Sequence, residues 1–380
     1  MGRSRDTDRL PLSLSSPRAN DDHPMKVLHV CETATGGIAT YLKMFDTAAP
    51  AGARSSFLVP ESQTGHFPQD AALRPYAGGR SAGGLAAMVA AMRRAIREDR
   101  PDVLFFHSSF SLLALLALRT SGSRIPALYC PHGWAVSRLE TQSGAKGRAI
   151  RLVEGRLAGL ADAVVNISAH DARLAHELGY RGRHVVIENA VSDSLGEADP
   201  PPFAKAAGEI HLLFVGRFDR QKGTDLLVSA FDRAAKQRPE LRLHLVGGGV
   251  LGDQDLAIPD SIHQAGWVGG ADIDRWYAAA HALIVPSRWE GFGLVVPEAY
   301  RNGTPVLVSD RGALPDLVES GATGVVFPLD RIEEHLLALD GAALAAMRPA
   351  CRAQYESRFT SERWAGELAA LLEDIMRARR

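Results

Sequence analysis

Short apolar runs alternate with amphipathic stretches along most of this chain. Runs such as KVLHVC (26–31), DVLFFH (102–107) and ALIV (282–285) are nearly continuous in hydrophobicity. Strands buried on both faces of a parallel sheet read this way. Between such runs the apolar residues recur at helical spacing, as in Ile38, Leu42 and Phe45. In the first half the pattern predicts strands over 26–31, 56–59, 102–107, 126–130, 163–167 and 185–187. Helices are expected over 85–97, 109–118, 149–160 and 170–178, and a Gly- and Pro-containing loop over 61–84. The second half predicts strands over 210–215, 241–246, 262–264, 282–285 and 305–309. Its helices are expected over 224–236, 273–280, 332–339, 342–352 and 361–379. Such alternation specifies an α/β fold with doubly wound parallel sheets.

SLGEADPPPFAKAAG (194–208) breaks the alternation with three prolines in a polar stretch, the signature of a linker. It divides the chain into a domain over 25–193, a second over 209–360, and a closing helix over 361–380. Residues 1–24 are polar and lack the apolar core of a signal peptide, so a disordered tail is expected, and Met25 is a candidate start. A length of 380 residues fits two domains, and a net charge of −1 gives no general pull towards nucleic acid. Cys31, Cys130 and Cys351 lack the spacing of a metal cluster or a disulfide framework, so a reduced, cytoplasmic setting is the default. The longest apolar run, LLALLAL (112–118), is too short to span a bilayer. Arg93, Arg94 and Arg97 lie on one side of a helix, either as a solvated face or as a contact for anionic headgroups.

The chemistry concentrates in SRWEGFGLVVPEAYRNGTPVLVSD (287–310). A helix starting near Gly291 leaves Glu290 in the preceding turn, puts Glu298 two turns in, and aims the amides of the Gly-Phe-Gly segment at an anion. Arg217 and Lys222, in one strand-to-helix loop with Gly223, make a cationic pair suited to a diphosphate. Gly36 and Gly37 stand where a strand turns into a helix, a place for close backbone approach or simply a tight turn. His107 and His132 stand just past the ends of neighbouring strands, where open α/β sheets bind ligands. The plainer reading, a histidine satisfied by a backbone carbonyl, is favoured for His107 and disfavoured for His132, which Gly133 leaves uncovered. GGGVLG (247–252) formally matches a dinucleotide-binding fingerprint, but no clear βαβ unit with an acidic strand end follows it. Asp253/Asp255 and Asp272/Asp274 formally match a D-x-D metal motif, although Asp272 also reads as a helix cap.

VGRFDRQKG (215–223), PSRWEGFGLVVPEA (286–299), NGTPVLVS (302–309) and GALPDLVESGATG (312–324) together resemble the retaining nucleotide-sugar glycosyltransferases of the GT-B fold, and the GT4 family above all. TGGIATY (35–41), HGW (132–134) and IENAV (187–191) fit the same likeness in the right order. Asn189-Ala190-Val191-Ser192 and Asp316 depart from the family pattern without removing a reacting group.

The resemblance implies two Rossmann-like domains facing a cleft, with the last helix crossing back to the first domain. It also implies a donor site for a UDP- or GDP-sugar, transfer of a hexose to a saccharide or lipid-linked acceptor, and no metal or other cofactor. Arg217 and Lys222 would neutralise the diphosphate. Glu298 would hold the ribose, and Glu290 the donor sugar with the amides of Phe292, Gly293 and Leu294. Gly36 and Gly37 would approach the diphosphate across the cleft, His132 would lie beside the transferred sugar, and Trp267 and Val268 would border the base. His107 is the acceptor-side candidate. The chain would work in the cytoplasm, either free or in peripheral contact with the inner membrane surface, in surface polysaccharide or glycoconjugate synthesis. The alternatives are an NAD-dependent oxidoreductase, from GGGVLG and the α/β pattern, and a non-catalytic nucleotide-sugar-binding protein.

Overall fold

The computed structural model describes residues 24–137, 144–193, 200–249, 257–270 and 272–378. Most of the tail, residues 194–199 of the linker, 250–252 of GGGVLG and the Asp253/Asp255 pair lie outside them. The first sheet holds β1 (Lys26–Cys31), β2 (Arg54–Pro60), β3 (Leu73–Tyr76), β4 (Val103–His107), β5 (Ala127–Cys130), β6 (Ala163–Asn166) and β7 (His184–Val186). All are parallel, in the order β3-β2-β1-β4-β5-β6-β7. The second holds β8 (Ile210–Phe218), β9 (Leu241–Gly249), β10 (His263–Gly266), β11 (Ala282–Val285), β12 (Val306–Ser309) and β13 (Gly324–Phe327). It is also parallel, in the order β10-β9-β8-β11-β12-β13. Chain order reverses beside β1 and beside β8, so each sheet has a crevice at a switch point, where α/β sheets take ligands.

Helices cover the sheets: α1 (Gly37–Ala48), α2 (Ala82–Asp99), α3 (Leu112–Thr120), α4 (Gly144–Ala158) and α5 (Ala169–Glu177) in the first domain. The second contributes α6 (Thr224–Gln237), α7 (Asp272–Ala279), α8 (Val295–Arg301), α9 (Ile332–Leu337), α10 (Gly341–Arg358) and α11 (Ser361–Arg377). The strand β3 falls where a loop was expected. Its proline is tolerated because β3 is an edge strand. α8 begins at Val295, not near Gly291, because Gly293 adopts φ 97, which no α-helix accommodates. Glu298 therefore lies in the first turn of α8, not two turns in.

The two halves are tied together by α11 and by the segment after β7. Trp364 of α11 packs edge-on against Phe45 and Tyr41 of α1, with ring centroids 4.8 and 5.4 Å apart. Arg358 grips Glu188 through two hydrogen bonds of 2.8 and 2.6 Å, and Arg363 donates to the Glu188 carbonyl at 2.7 Å. The Val191 amide donates to the Phe359 carbonyl at 3.0 Å. Asp316, one of the departures from the family pattern, pairs with Arg173 of α5 at 2.6 Å. Phe203 of the linker stacks on His211 and His244, anchoring that strap to the second sheet. Among the described residues no helix is long and apolar enough to cross a membrane.

Candidate active site

The carboxyl ends of the two sheets face each other. The loop after β5 meets the loop after β11 so closely that a Cβ on Gly291 would lie 2.9 Å from the Gly133 Cα. Any side chain at Gly291 would therefore prise the two loops apart. Beside this contact, a Cβ on Gly37 would lie 3.6 Å from Leu294 Cδ1, so the lip formed by Gly36 and Gly37 stands opposite the Phe292-Gly293-Leu294 segment. Gly36 has φ 56, in the left-handed region, and opens α1 without a side-chain cap.

Lys222 and Glu290 are 68 residues apart in sequence and form an ion pair of 2.5 Å. Glu290 is buried and also accepts a 3.0 Å hydrogen bond from Ser287 Oγ. Its backbone is fixed as well: the Ala313 amide donates to the Glu290 carbonyl at 3.0 Å. Lys222 is held from behind, where Asp219 Oδ1 accepts from its amide at 2.9 Å. Arg217 is exposed and leans on Asp219 at 2.9 Å and Gln221 at 3.1 Å. The two cations and Glu290 thus share one wall, organised by the β8–α6 loop. Asp219, Gln221 and Ser287 are the supporting residues that spacing alone did not reveal.

Glu298 accepts a 2.7 Å hydrogen bond from the hydroxyl of Tyr277, a fully buried residue of α7. Burial pushes the Glu298 carboxyl above the usual carboxylate range, opposed by Tyr277, Arg301 and Lys222 and reinforced by Asp274. Lys222 is therefore felt by both glutamates. Asp274 is buried and paired with Arg301 at 2.6 Å, a structural use of half of the D-x-D match. Gly247 and Gly249 of GGGVLG lie within β9, not in a strand-to-helix turn. Trp267 is 67% exposed beside Gly248, whereas Val268 packs partly into the core. Among the described residues no three His, Cys, Asp or Glu side chains converge to hold a metal.

His132 sits in the touching loop at φ 54, a left-handed conformation uncommon for a non-glycine residue and a frequent mark of functional loops. The buried Asp171 lies beneath this loop, and burial pushes its carboxyl up to about 8 against the lowering effect of the Gly133 amide. His107 does not face an acceptor. It is fully buried, and its two ring nitrogens meet His132 at 2.9 Å and His29 at 3.0 Å. A histidine at a strand's last position can turn into the core or towards ligand, and packing decides which.

Burial lowers His29 and His132 to about 3, with a smaller like-charge contribution from His132 at His29. Unfolding returns each to the ordinary 6.5, so the unfolded chain binds more protons below that pH. The stabilisation of these neutral rings is complete above pH 6.5 and is lost as pH falls towards 3. Each histidine costs up to about 1.4 kcal/mol per pH unit in that window. Urea midpoints should fall between pH 7 and pH 5, with a shallower fall in His29→Phe. A flat profile, or an equal slope in the variant, would contradict this.

Two parallel Rossmann-like domains with a cationic wall opposite a glycine lip define a GT-B glycosyltransferase. Residues 209–340 match the family model described as glycosyl transferases group 1, and residues 36–190 match the glycosyl transferase 4-like domain. The chain belongs to this family. A protein of Klebsiella pneumoniae described as an uncharacterized 41.2 kDa protein in cps region is 27% identical, over 80% of this chain and 86% of that protein. The lipopolysaccharide core biosynthesis mannosyltransferase LpsB of Rhizobium meliloti is 32% identical, over 47% of this chain and 58% of its own length. HepE of Anabaena, solved in complex with UDP, shares the fold with a TM-score of 0.71 at 20% identity, covering 93% of this chain and all of that one. This membership replaces the oxidoreductase alternative.

Proposed function

We propose that this glycosyltransferase moves a hexose from a UDP- or GDP-sugar, with retention of configuration, to a saccharide or lipid-linked acceptor in surface polysaccharide synthesis. The observation that carries the reading is the Lys222–Glu290 pair, whose glutamate is set in the same loop as the Leu294 that stands against Gly37 across the cleft. Lys222 and Arg217 take up charge that builds on the departing diphosphate, helped by the amides of Phe292, Gly293 and Leu294. Glu298 holds the ribose, Glu290 the sugar hydroxyls, and Trp267 borders the base. His132 stands beside the transferred sugar. The bond from the anomeric carbon to the diphosphate oxygen breaks while the acceptor oxygen bonds to the same face. The acceptor's proton passes to the leaving phosphate, so the reaction needs no metal.

The UDP complex of HepE supports a uridine donor, and the names of LpsB and of the cps-region relative support a surface-glycan acceptor. A lipid-linked acceptor would bring the chain to a membrane surface, where the exposed Arg93, Arg94 and Arg97 of α2 offer basic contacts. The test is thermal-shift titration with UDP, GDP and ADP, followed by transfer assays with the matching sugars, with and without EDTA. One of the first two nucleotides should stabilise the fold, and the product should keep the donor's anomeric configuration by NMR, with EDTA having no effect. No stabilisation at millimolar nucleotide together with blank assays would end the reading; an inverted product would end retention.

A further inference from the structure

We propose that His29 and His107 are positioning residues for His132: with Ser55 they form one neutral hydrogen-bonded chain whose direction decides whether Nδ1 of His132 carries a proton or a lone pair. The inference rests on reading the cleft as the transfer site. The contacts run across four neighbouring segments, from the loop after β5 to β4, β1 and β2. His132 Nε2 meets His107 Nδ1 at 2.9 Å, His107 Nε2 meets His29 Nδ1 at 3.0 Å, and His29 Nε2 meets Ser55 Oγ at 3.3 Å.

A neutral imidazole has one N–H and one lone pair, so a ring bonded through both nitrogens must accept on one side and donate on the other. Each contact needs a single hydrogen, and choosing the donor in one fixes the donors in the rest. If Ser55 donates to His29, His29 donates to His107, His107 donates to His132, and the proton of His132 must sit on Nδ1. If Ser55 accepts, every bond reverses and Nδ1 of His132 is bare. The hydroxyl of Ser55 can terminate either direction; interconverting the two passes each hydrogen to the next ring, releases the Nδ1 proton of His132 and returns one proton to Ser55, so the total number of protons is unchanged.

The surroundings keep the chain neutral. His29 is ringed by Phe45, Phe57 and Phe105, with centroids at 4.4, 4.9 and 5.7 Å, and Tyr41 stands edge-on to His132 at 4.8 Å. An imidazolium there would lose its hydration among aromatic rings. The arrangement holds the ring beside the sugar as a hydrogen-bonding partner of defined polarity rather than as a cation.

Two substitutions at Ser55, three hydrogen bonds away from His132, should set opposite directions. Ser55→Asp supplies an ionised acceptor, so His29 must donate to it and Nδ1 of His132 is bare. Ser55→Val removes the partner, and a buried unpaired lone pair is tolerated better than an unpaired N–H. His29 then turns its N–H inwards and Nδ1 of His132 is protonated. Long-range proton–nitrogen NMR of the full chain with nitrogen-15 histidine should report opposite His132 tautomers in the two variants. The variant matching the wild-type tautomer should keep its kcat, and the other should lose about tenfold with the donor KM unchanged. His107→Phe keeps the aromatic packing but cuts the chain, and should leave His132 as a mixture of tautomers. The same His132 tautomer in both Ser55 variants, opposite tautomers with equal kcat, or a single wild-type tautomer in His107→Phe would each overturn the proposal. Opposite tautomers in a protein inactive with every donor would support the chain and sink the transfer reading.

Discussion

Lys222→Ala should lower kcat by about a thousandfold, the scale of removing one charge-stabilising group from an enclosed site. Sequence alone would predict an intact fold for this variant. The structure predicts otherwise, because Lys222 is also the partner of Glu290, whose side chain is only 7% exposed. Removing the lysine leaves a buried carboxylate supported by Ser287 alone, a change that costs about 3 kcal/mol. The two losses separate in Lys222→Met combined with Glu290→Gln. With no buried charge left unpaired, stability should return most of the way while turnover stays at the floor. Single-turnover kinetics and urea midpoints on the three proteins decide the matter. Near-normal turnover in Lys222→Ala would remove the lysine from the mechanism.

Gly312→Ala should be nearly as damaging, although Gly312 touches no proposed ligand. Its φ is +60, and a Cβ there would lie 2.3 Å from the Glu290 carbonyl oxygen and 2.8 Å from the Glu290 nitrogen. Both atoms are backbone, so relief requires moving Glu290 itself. A shift of about 1 Å in a positioned group costs on the order of a hundredfold in rate, and strain at the left-handed residue adds about 1–3 kcal/mol of destabilisation. Gly321→Ala is the control: its φ is +82, but nothing lies within 4 Å of the added carbon. It should lose stability through strain and keep its kcat. Equal activity losses in the two variants would mean that the effect at Gly312 is general strain and not displacement of Glu290.

The site was legible in the sequence where its parts are local. Arg217 with Lys222, and Glu290 with Glu298, are each carried on one loop-and-helix unit, so spacing alone placed them near one another. The offset in the start of α8 came from Gly293, whose φ of 97 lies outside the helical range and where an added Cβ would lie 2.9 Å from Leu314 Cδ2, a neighbour distant in sequence. The strand β3 was illegible because a short edge strand with a proline and an arginine has no continuous apolar pattern. His107 was read towards an acceptor because its position at the carboxyl end of β4 fits a ligand site. Its burial depends on His29, 78 residues away.

The sequence by itself determined the alternating α/β order and offered the acidic, basic and glycine residues of the candidate site. These follow from periodicity and from residues with few conformational alternatives. Only the tertiary structure decided that Lys222 pairs with Glu290, that Tyr277 supports Glu298, that Gly133 touches Gly291 and that three histidines join into one chain. Such contacts link positions far apart in sequence, and their strength comes from burial. A hydrogen bond or ion pair takes its direction and its energy from the surroundings that exclude water, and those exist only once the sheets have packed.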